Sequence, residues 1–323
     1  LKLGRLAALG LLREPAKNDA FRITDREPEE LPGLEVAFPL KSWVQSSAYS
    51  DLSFCRLSLE NTQDIQNLFK NARPERVCHL AAQAGVRYSL KDPYTYIDAN
   101  VMGFLNILEG CRNYPVEHLV YASTSSIYGL NENMPSSVHE PAEHSVSLYA
   151  ASKKANEAMA HSYSWLYEIP TTGLRFFTVY GPWGRPDMAP ILFAKAIYED
   201  RPIQVFNHGD MQRDLTYIDD IVHGILQALE HRAEPNSNWD GQKPDPASSK
   251  APFRLYNIGN SQPVDLMQFI ETLEAKMGKK AEKKYLPMQP GDIPRTWADV
   301  SDIEENLGYK PSTSLDEGLE KYL

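Results

Sequence analysis

Short apolar runs alternate with longer amphipathic stretches along the chain from about residue 54. The apolar runs that predict strands are residues 54–59, 76–81, 118–122 and 172–177, and the stretches that predict helices are 62–71, 93–113 and 147–168. Strands that alternate with helices, each strand continuously apolar, indicate a parallel sheet covered on both faces. We therefore expect a doubly wound α/β domain.

The second half of the chain has a more mixed pattern. It predicts helices at 189–199, 219–231 and 265–277 and strands at 203–206 and 254–258. We expect residues 1–180 to form the doubly wound domain, to which part of 210–265 returns, and residues 181–323 to form mainly a smaller mixed α/β lobe. Residues 233–252, rich in Pro, Ser, Asn and Asp, are too polar to pack and predict an exposed loop.

The composition is typical of a globular protein: 323 residues, of which 42% are hydrophobic and 24% charged. Collagen, coiled coil and wholesale disorder are excluded. The 33 Lys and Arg residues against 43 Asp and Glu give a net charge of −10. This balance argues against a general nucleic-acid or membrane-surface binder, so an anionic substrate must be bound by a local cluster of Arg and Lys.

The cysteines indicate the compartment. Cys55, Cys78 and Cys111 form no CxxC pair, which is typical of buried thiols in a reducing compartment and not of a disulfide framework or a zinc site. No stretch reaches about 18 consecutive apolar residues, and no signal peptide opens the chain. The sequence therefore predicts a cytoplasmic protein without a bound metal.

The beginning of the chain lacks an expected element. A dinucleotide-binding, Rossmann-like domain opens with an apolar strand followed by GxGxxG or GxxGxxG, because only glycine lets the backbone approach the pyrophosphate. Gly4, Gly10 and Gly33 have neither that spacing nor a preceding strand, and residues 27–33 are acidic and Pro-rich, which predicts a loop.

The strongest chemical signal is a YxxxK pair, Tyr149 and Lys153, at the start of the long predicted helix. Residues four apart lie on one helical face, so the phenol and the ammonium can point into the same cleft. A cation beside a phenol lowers the pKa of the phenol and makes it a usable general base for a hydroxyl. Alone, this spacing is common on solvated helix faces.

Four consecutive hydroxyl side chains strengthen that signal. They occupy residues 123–126, directly after the apolar run 119–122, and so lie at the carboxyl end of a predicted parallel strand, where open α/β sheets bind ligands. They form either a Ser/Thr-rich turn that satisfies its own backbone or an array that faces a substrate. With Tyr149 and Lys153 following, we favour the array.

At these residues the chain resembles the extended short-chain dehydrogenases/reductases, and among them the NAD-dependent epimerases and dehydratases of nucleotide sugars. The resemblance runs from about residue 52 to the C-terminus and includes segments 79–89, 100–106, 175–188, 213–220 and 290–292, besides the YxxxK pair and the hydroxyl array. The AAQAGVRYS and GPWGRPDM segments are most similar to family members that epimerise UDP-glucuronate at C4. The resemblance implies a homodimer formed through helices 93–113 and 147–168.

The resemblance also implies the site. The catalytic positions correspond to Thr124, Tyr149 and Lys153. The positions that bind NAD correspond to Ala81, Ala82, Gln83, Asn100, Tyr149 and Lys153, although the two alanines also suit simple packing. The positions that bind the UDP-sugar correspond to Ser125, Ser126, Thr178, Arg185, Arg213, Gln289 and Asp292.

In the implied reaction Tyr149 takes the proton from the sugar 4-hydroxyl, Lys153 lowers the pKa of Tyr149 and holds the nicotinamide ribose, and Thr124 shares the hydrogen bond. The 4-keto uronate is a β-keto acid prone to lose carbon dioxide. Ser125, Ser126 and Thr178 are expected to hold the carboxylate out of the reactive alignment.

Several charged residues keep two interpretations. Arg185 either reaches the carboxylate or braces its Gly/Pro-rich loop. Arg213 either binds the diphosphate or pairs with Asp214, Asp219 or Asp220. We expect Asp219 and Asp220 to form a helix N-cap instead of a metal pair, and His79 to be a satisfied strand-end histidine.

Two departures from the family leave alternatives open. The family pattern implies roughly 40 further residues before Leu1. In the sheet, their strands would lie between the strands formed by runs 54–59 and 76–81, so without them the sheet has a gap or an unprotected edge. Ser58 stands where the family usually has an Asp near the adenine. The alternatives are therefore a decarboxylase or dehydratase of the same superfamily, or a truncated, non-catalytic nucleotide-sugar-binding fragment that holds NAD poorly.

Overall fold

The structure, a computed structural model, describes residues 8–9, 43–289 and 291–323. The glycines examined at the start of the chain, the predicted loop 27–33 and Pro290 lie outside the described residues. In the described part, no helix is long and apolar enough to cross a membrane.

The described strands are β1 (Trp43–Gln45), β2 (Ser53–Cys55), β3 (Arg76–His79), β4 (His118–Thr124), β5 (Thr171–Phe176), β6 (Thr178–Tyr180), β7 (Ile203–Val205), β8 (Gln212–Tyr217), β9 (Phe253–Ile258), β10 (Pro263–Asp265) and β11 (Lys283–Tyr285). The described α-helices are α1 (Thr62–Ala72), α2 (Pro93–Tyr96), α3 (Gly103–Asn113), α4 (Leu148–Tyr167), α5 (Ala189–Tyr198), α6 (Ile218–Glu230), α7 (Leu266–Met277), α8 (Ser301–Leu307) and α9 (Leu315–Tyr322). A π-helical turn (Ile97–Met102) joins α2 to α3.

A parallel sheet in the order β3-β4-β5-β9 forms the centre of the molecule. His79 pairs with Tyr121, Thr124 with Phe176, and Phe176 with Ile258, so the carboxyl ends of the strands meet at one edge of the sheet. Helices cover both faces, which confirms the predicted doubly wound α/β fold.

Side-chain alternation along β4 explains the two layers of the core. Leu119 and Tyr121 pack with Phe69 and Phe104 from α1 and α3 on one face. On the other face, Val120 packs in a cluster with α6 and α8. Successive residues of a strand point to opposite faces, so an apolar strand must be covered twice.

A separate cluster lies among β7, β8, α5 and α7, with Phe193, Val205, Leu215 and Phe269 at its centre. The parallel pair β6–β8, the antiparallel pair β8–β10 and the parallel pair β7–β11 frame it. The chain boundaries drawn above for the two lobes stay a prediction.

The strand expected at 54–59 is shorter than predicted. Only Ser53–Cys55 is a strand, and it pairs antiparallel with Trp43–Gln45, outside the parallel sheet. The chain then turns into α1, because Asn61 donates its N–H to the Ser58 carbonyl and its side chain caps the helix. Among the described residues, β3 is the edge strand on this side of the sheet.

The loop 233–252 contains neither helix nor strand, as predicted, but it is not too polar to pack. Ala247, Ser248 and Ala251 are buried. Hydrogen bonds within the loop, such as that from Ser248 Oγ to Asp245 Oδ2 (2.8 Å), satisfy its polar groups and let the small residues pack beside β9.

Candidate active site

The first turn of α4 presents the YxxxK pair. Ser147 caps the helix by accepting a hydrogen bond from the Ala150 N–H, which fixes where the helix begins. Tyr149 is therefore in the first turn and Lys153 one turn further on. Tyr149 is half-buried and Lys153 is 2% exposed, so the pair lies against the protein interior and not on a solvated helix face.

The carboxyl end of β4 meets this helix turn. The side chain of Thr124, the last residue of β4, lies beside the Tyr149 hydroxyl and acts to lower its pKa. Thr124 Oγ1 also accepts a hydrogen bond from the Ser126 N–H (3.2 Å) and donates one to Ser126 Oγ (3.3 Å). Ser125 and Ser126 are half-buried in the 3-10 turn that follows. The hydroxyl array thus both orders its own turn and contacts the phenol.

The groups that set the pKa of Tyr149 differ from those that the sequence predicted. Burial raises the pKa of Tyr149, and the neighbouring Thr124 side chain and the positive charge of Arg185 only partly offset it. Burial therefore dominates, and the cation that acts on the phenol in this arrangement is Arg185, from another loop; the lowering of this pKa by Lys153 stays a prediction.

Lys153 is itself strongly affected by its surroundings. Burial lowers the pKa of its ammonium to about 8, against the opposing charge of Glu157. Burial and the charge of Lys153 lower the pKa of His79 to about 3, and the neutral His79 ring stacks on Phe104 at 5.4 Å. His79 is thus a packed strand-end residue, as expected.

Arg185 braces its loop, one of the two interpretations weighed for it. Its Nε and Nη2 donate to the two carboxylate oxygens of Asp187 (3.0 and 2.6 Å), which braces the loop. Its positive charge also acts on Tyr149 and Tyr96. The guanidinium therefore lies beside the phenol at the sheet edge, while a contact with substrate stays a prediction.

Residues that follow β3 form a cradle of small side chains beside α4. Ala81 and Ala82 precede Gln83, whose backbone N–H and carbonyl both bond to the buried side chain of Asn100 (2.8 and 3.0 Å). Gly85 has φ +109°, where a side chain would be strained.

Asn100 also connects this cradle to the catalytic helix. It lies in the π-helical turn, donates to Ser152 Oγ (3.0 Å), and Ser152 in turn donates to the Tyr149 carbonyl (2.8 Å). Asn100 thus holds the loop of residues 81–85 from inside the protein. The open backbone of residues 81–85, together with Tyr149 and Lys153, fits the nicotinamide end of NAD.

A second group of charged side chains surrounds residues 292–294. Arg213 donates to the carbonyls of Gln212 (2.8 Å), Ile293 (2.8 Å) and Pro294 (2.9 Å). Its pKa is lowered by burial and by the nearby charge of Arg87, against the charge of Asp292. The ion pair considered for Arg213 with Asp214, Asp219 or Asp220 is wrong, since none of the three contacts it.

Arg87 is a candidate that the sequence reasoning missed. Its Nη2 forms an ion pair with Asp292 Oδ2 at 2.9 Å, and its charge reaches Arg213. The available signal was its position, as the single basic residue within the AAQAGVRYS segment. Arg87 and Arg213 lie around the single carboxylate of Asp292 and so leave a local excess of positive charge. A chain with a negative net charge needs such a cluster to bind an anionic ligand.

Gln289 and Thr178 complete the predicted substrate positions. Gln289 Oε1 is buried without a hydrogen-bond partner among the described residues. Because an unsatisfied buried acceptor is costly, it suits a ligand N–H or O–H. Thr178 begins β6, is half-buried, and pairs with Leu215 of β8 just beyond the sheet edge.

Asp219 and Asp220 do not form the predicted N-cap. The cap position of α6 is Tyr217, and both aspartates lie in the first helical turn, where their charge still complements the helix dipole. Asp220 instead accepts the backbone N–H groups of Ser312 (3.2 Å) and Thr313 (3.0 Å) and fixes the C-terminal segment.

Comparison with known proteins gives consistent matches. The model of the NAD dependent epimerase/dehydratase family matches residues 25–240. Protein CapI of Staphylococcus aureus is 52% identical over 280 residues, which cover 87% of this chain and 84% of CapI. A probable UDP-glucuronate 4-epimerase of Rhizobium meliloti (strain 1021) is 49% identical over 267 residues, or 82% of this chain and 78% of the relative.

Solved structures match over a similar span. UDP-glucuronic acid 4-epimerase from Bacillus cereus, in complex with UDP-glucuronic acid and NAD, is 35% identical with a TM-score of 0.72 and covers 83% of this chain and 79% of its own. UDP-glucose 4-epimerase from Thermotoga maritima, with UDP-glucose, is 28% identical with a TM-score of 0.72 and covers 82% and 81%.

Proposed function

The chain belongs to the NAD dependent epimerase/dehydratase family and is an NAD-dependent nucleotide-sugar epimerase, and on that premise we propose that it interconverts UDP-glucuronate and UDP-galacturonate in the cytoplasm. Identity to UDP-glucuronate 4-epimerases, 49% in the Rhizobium relative, supports this substrate. The observation that carries the chemistry is the placement of Thr124 beside the Tyr149 hydroxyl at the carboxyl edge of the sheet, with Lys153 one turn away.

Tyr149 is the proposed base. Its phenolate form takes the proton of the sugar 4-hydroxyl and becomes the neutral phenol, and the Thr124 side chain beside it orients that sugar hydroxyl. NAD, when bound, supplies the site that accepts and returns a hydride. The raised pKa of Tyr149 shows why a positive charge beside the phenol is needed: the charge of Arg185 favours the phenolate, and in this proposal the ammonium of Lys153, one turn further along the helix, does so too.

The carboxylate of the sugar is held by hydroxyl groups in this proposal. Ser125 and Ser126 follow Thr124 directly, and Thr178 begins β6 at the same edge. Hydrogen bonds from these groups keep the C5–C6 bond out of alignment with the C4 carbonyl and so suppress loss of carbon dioxide. Arg185 neutralises the negative charge of the sugar carboxylate once its guanidinium gives up its two hydrogen bonds to Asp187.

The diphosphate is assigned to Arg87 and Arg213. Both guanidinium groups lie beside Asp292, and the carbonyls that hold Arg213 fix its plane. Guanidinium groups bind phosphate oxygens in a bidentate manner that lysine does not reproduce. Gln289, with its unsatisfied Oε1, lies in the same segment and suits a donor on the nucleotide.

Product analysis tests the proposal. The full chain is incubated with UDP-glucuronate and NAD, and the products are separated by anion-exchange chromatography and identified by NMR. We expect UDP-galacturonate as the product, with no net NADH. A UDP-pentose would identify a decarboxylase, an accumulating dehydrated 4-keto sugar would identify a dehydratase, and either result would overturn the proposal, as would turnover of UDP-glucose alone.

A further inference from the structure

A buried carboxylate lies directly behind the proposed catalytic residues. Glu157 is on α4, one turn after Lys153, and is 3% exposed. Its Oε1 accepts hydrogen bonds from Ser123 Oγ (2.7 Å) and Arg175 Nε (2.9 Å), and its Oε2 accepts one from Arg175 Nη2 (3.0 Å). Arg175 is itself fully buried.

These contacts join the three elements that form the site. Ser123 immediately precedes Thr124 on β4, Glu157 shares α4 with Tyr149 and Lys153, and Arg175 is on β5. One carboxylate therefore determines how the strand end that carries Thr124 is placed against the helix that carries the phenol and the ammonium.

The network continues across the sheet. Arg175 Nη1 donates to the Tyr128 hydroxyl (3.1 Å), which donates to Asn257 Oδ1 on β9 (2.6 Å). Asn257 Nδ2 donates to the carbonyls of Ser136 (2.7 Å) and Asp299 (3.0 Å). The Glu157 carboxylate and the Arg175 guanidinium are therefore both hydrogen-bonded, and such a fully hydrogen-bonded buried network is held rigidly.

Stability alone does not account for this arrangement. A buried ion pair loses so much hydration that apolar residues of similar volume are often equally or more stabilising. A carboxylate beside Lys153 does have a specific effect, since its negative charge favours the ammonium form against burial.

The charged and titratable groups around Lys153 and Glu157 come from several elements. They are His79 on β3, Tyr121 on β4, Tyr128 in the turn after β4, Tyr149 and Lys154 on α4, and Arg175 on β5. His79 is neutral, and Lys154 Nζ lies 3.8 Å from Glu157 Oε2 at a partly exposed position. Glu157 is therefore the acidic group that acts on Lys153.

We propose that Glu157 is a positioning residue that keeps Lys153 charged and aligns Thr124 with Tyr149, through its paired contacts with Ser123 and Arg175. The role in catalysis rests on the proposed function, whereas the control of Lys153 does not. The two parts are therefore tested separately.

The first experiment measures the pKa of Lys153 directly. Protein labelled with ¹³Cε-lysine is titrated by NMR, and the Lys153 signal is assigned by its absence in Lys153→Met. In Glu157→Gln we expect this signal to titrate at lower pH than in the parent, by about one unit, the size of effect that a nearby charge produces. Glu143→Gln, which removes an exposed carboxylate 3.9 Å from the neighbouring Lys154, is the matched control and leaves Lys153 unchanged.

The second experiment measures epimerisation against pH. If the pKa of Lys153 falls by one unit from about 8, the population of its ammonium form at pH 8 is roughly a fifth of that in the parent. We therefore expect kcat of Glu157→Gln to fall about fivefold at pH 8 and less than twofold at pH 6. The double variant Glu157→Leu/Arg175→Met removes both buried charges and guards against misfolding, since it replaces the pair by apolar groups. It should show the same displacement.

The outcomes separate the two parts of the account. If the Lys153 titration is the same in parent, Glu157→Gln and the double variant, the proposal is overturned. A loss of kcat that is equal at pH 6 and pH 8 shows that the charge of Lys153 does not limit catalysis and overturns that part of the proposal. If the parent does not epimerise UDP-glucuronate, the proposed function fails, while the NMR titration still decides whether Glu157 controls Lys153.

Discussion

Single residues at the candidate site are set by charges that come from different parts of the chain. The spacing of Tyr149 and Lys153 was visible in the sequence because a helix brings residues four apart together. That Arg185 acts on Tyr149, or that Arg175 holds Glu157, depends on contacts between separate elements. Residue spacing carries no information on such contacts.

The arginines beside Asp292 give a test at the same scale. Arg87→Gln keeps a side chain of similar length but removes the charge proposed to bind the diphosphate. A charged hydrogen bond contributes about 1.5–3 kcal/mol, so KM for UDP-glucuronate should rise about tenfold or more while kcat stays within about twofold. Steady-state kinetics check this. Arg201→Gln, an exposed arginine paired with Glu199, is the control and leaves KM unchanged. An unaltered KM in Arg87→Gln would remove Arg87 from the site.

Helices and strands were predicted well where their apolar pattern is long. The runs that gave β3, β4, β5 and β9 were located to within about two residues, and so were the starts of α1, α4 and α6. Four of the three-residue strands, β1, β6, β10 and β11, were not predicted, because segments this short show little periodicity. The strand at 54–59 was wrong because helix capping by Asn61 ends the extended run early.

A histidine between two elements links stability to pH. His139 contacts Asp245 through Nδ1 and Asp302 through Nε2, each at 2.9 Å, and so connects the loop 233–252 to α8. Partial burial lowers the pKa of His139, but the hydrogen bonds to the two carboxylates and their charges raise it above 6.5 overall. The stabilisation from the charged ring is therefore fully present below pH 6.5 and is lost as the pH rises through the folded-state pKa.

The variant His139→Gln tests this link. The free energy of unfolding of the parent should exceed that of the variant below pH 6.5, and the difference should decline as the pH rises. Urea unfolding followed by circular dichroism from pH 5.5 to 8.5 measures it. His223→Gln, on the exposed face of α6 beside Gln227, is the control and should show no such trend. A difference that is constant with pH would contradict the assignment.

The whole molecule places its chemistry where a parallel sheet ends. The doubly wound fold and the position of Thr124 followed from the apolar pattern, since strand ends in such sheets meet at one edge. The candidate site also includes residues 178–185, 289 and 291–294, whose positions beside this edge no local pattern predicts. Arg87 shows this most clearly, because its partner Asp292 is more than half the chain away.

A homodimer is the remaining prediction for the whole molecule. The helices expected to form it carry exposed apolar side chains, namely Tyr94, Ile97, Met102, Trp165 and Leu166. Ile97→Lys places a charge on this surface and should shift the protein from dimer to monomer in size-exclusion chromatography with light scattering. Leu130→Lys, a change at an exposed leucine on a loop, should leave the dimer intact. A monomeric parent, or a variant that stays dimeric, would contradict the prediction.

The most direct test of the proposed reaction is the turnover number of Tyr149→Phe with UDP-glucuronate and NAD. The variant lacks only the phenol oxygen beside Thr124, which in its deprotonated form takes the proton, so we predict a fall in kcat of about 10²- to 10⁴-fold. Tyr167→Phe, at the end of the same helix, should retain the parent rate. A Tyr149→Phe protein that is folded and epimerises UDP-glucuronate at the parent rate would contradict the account.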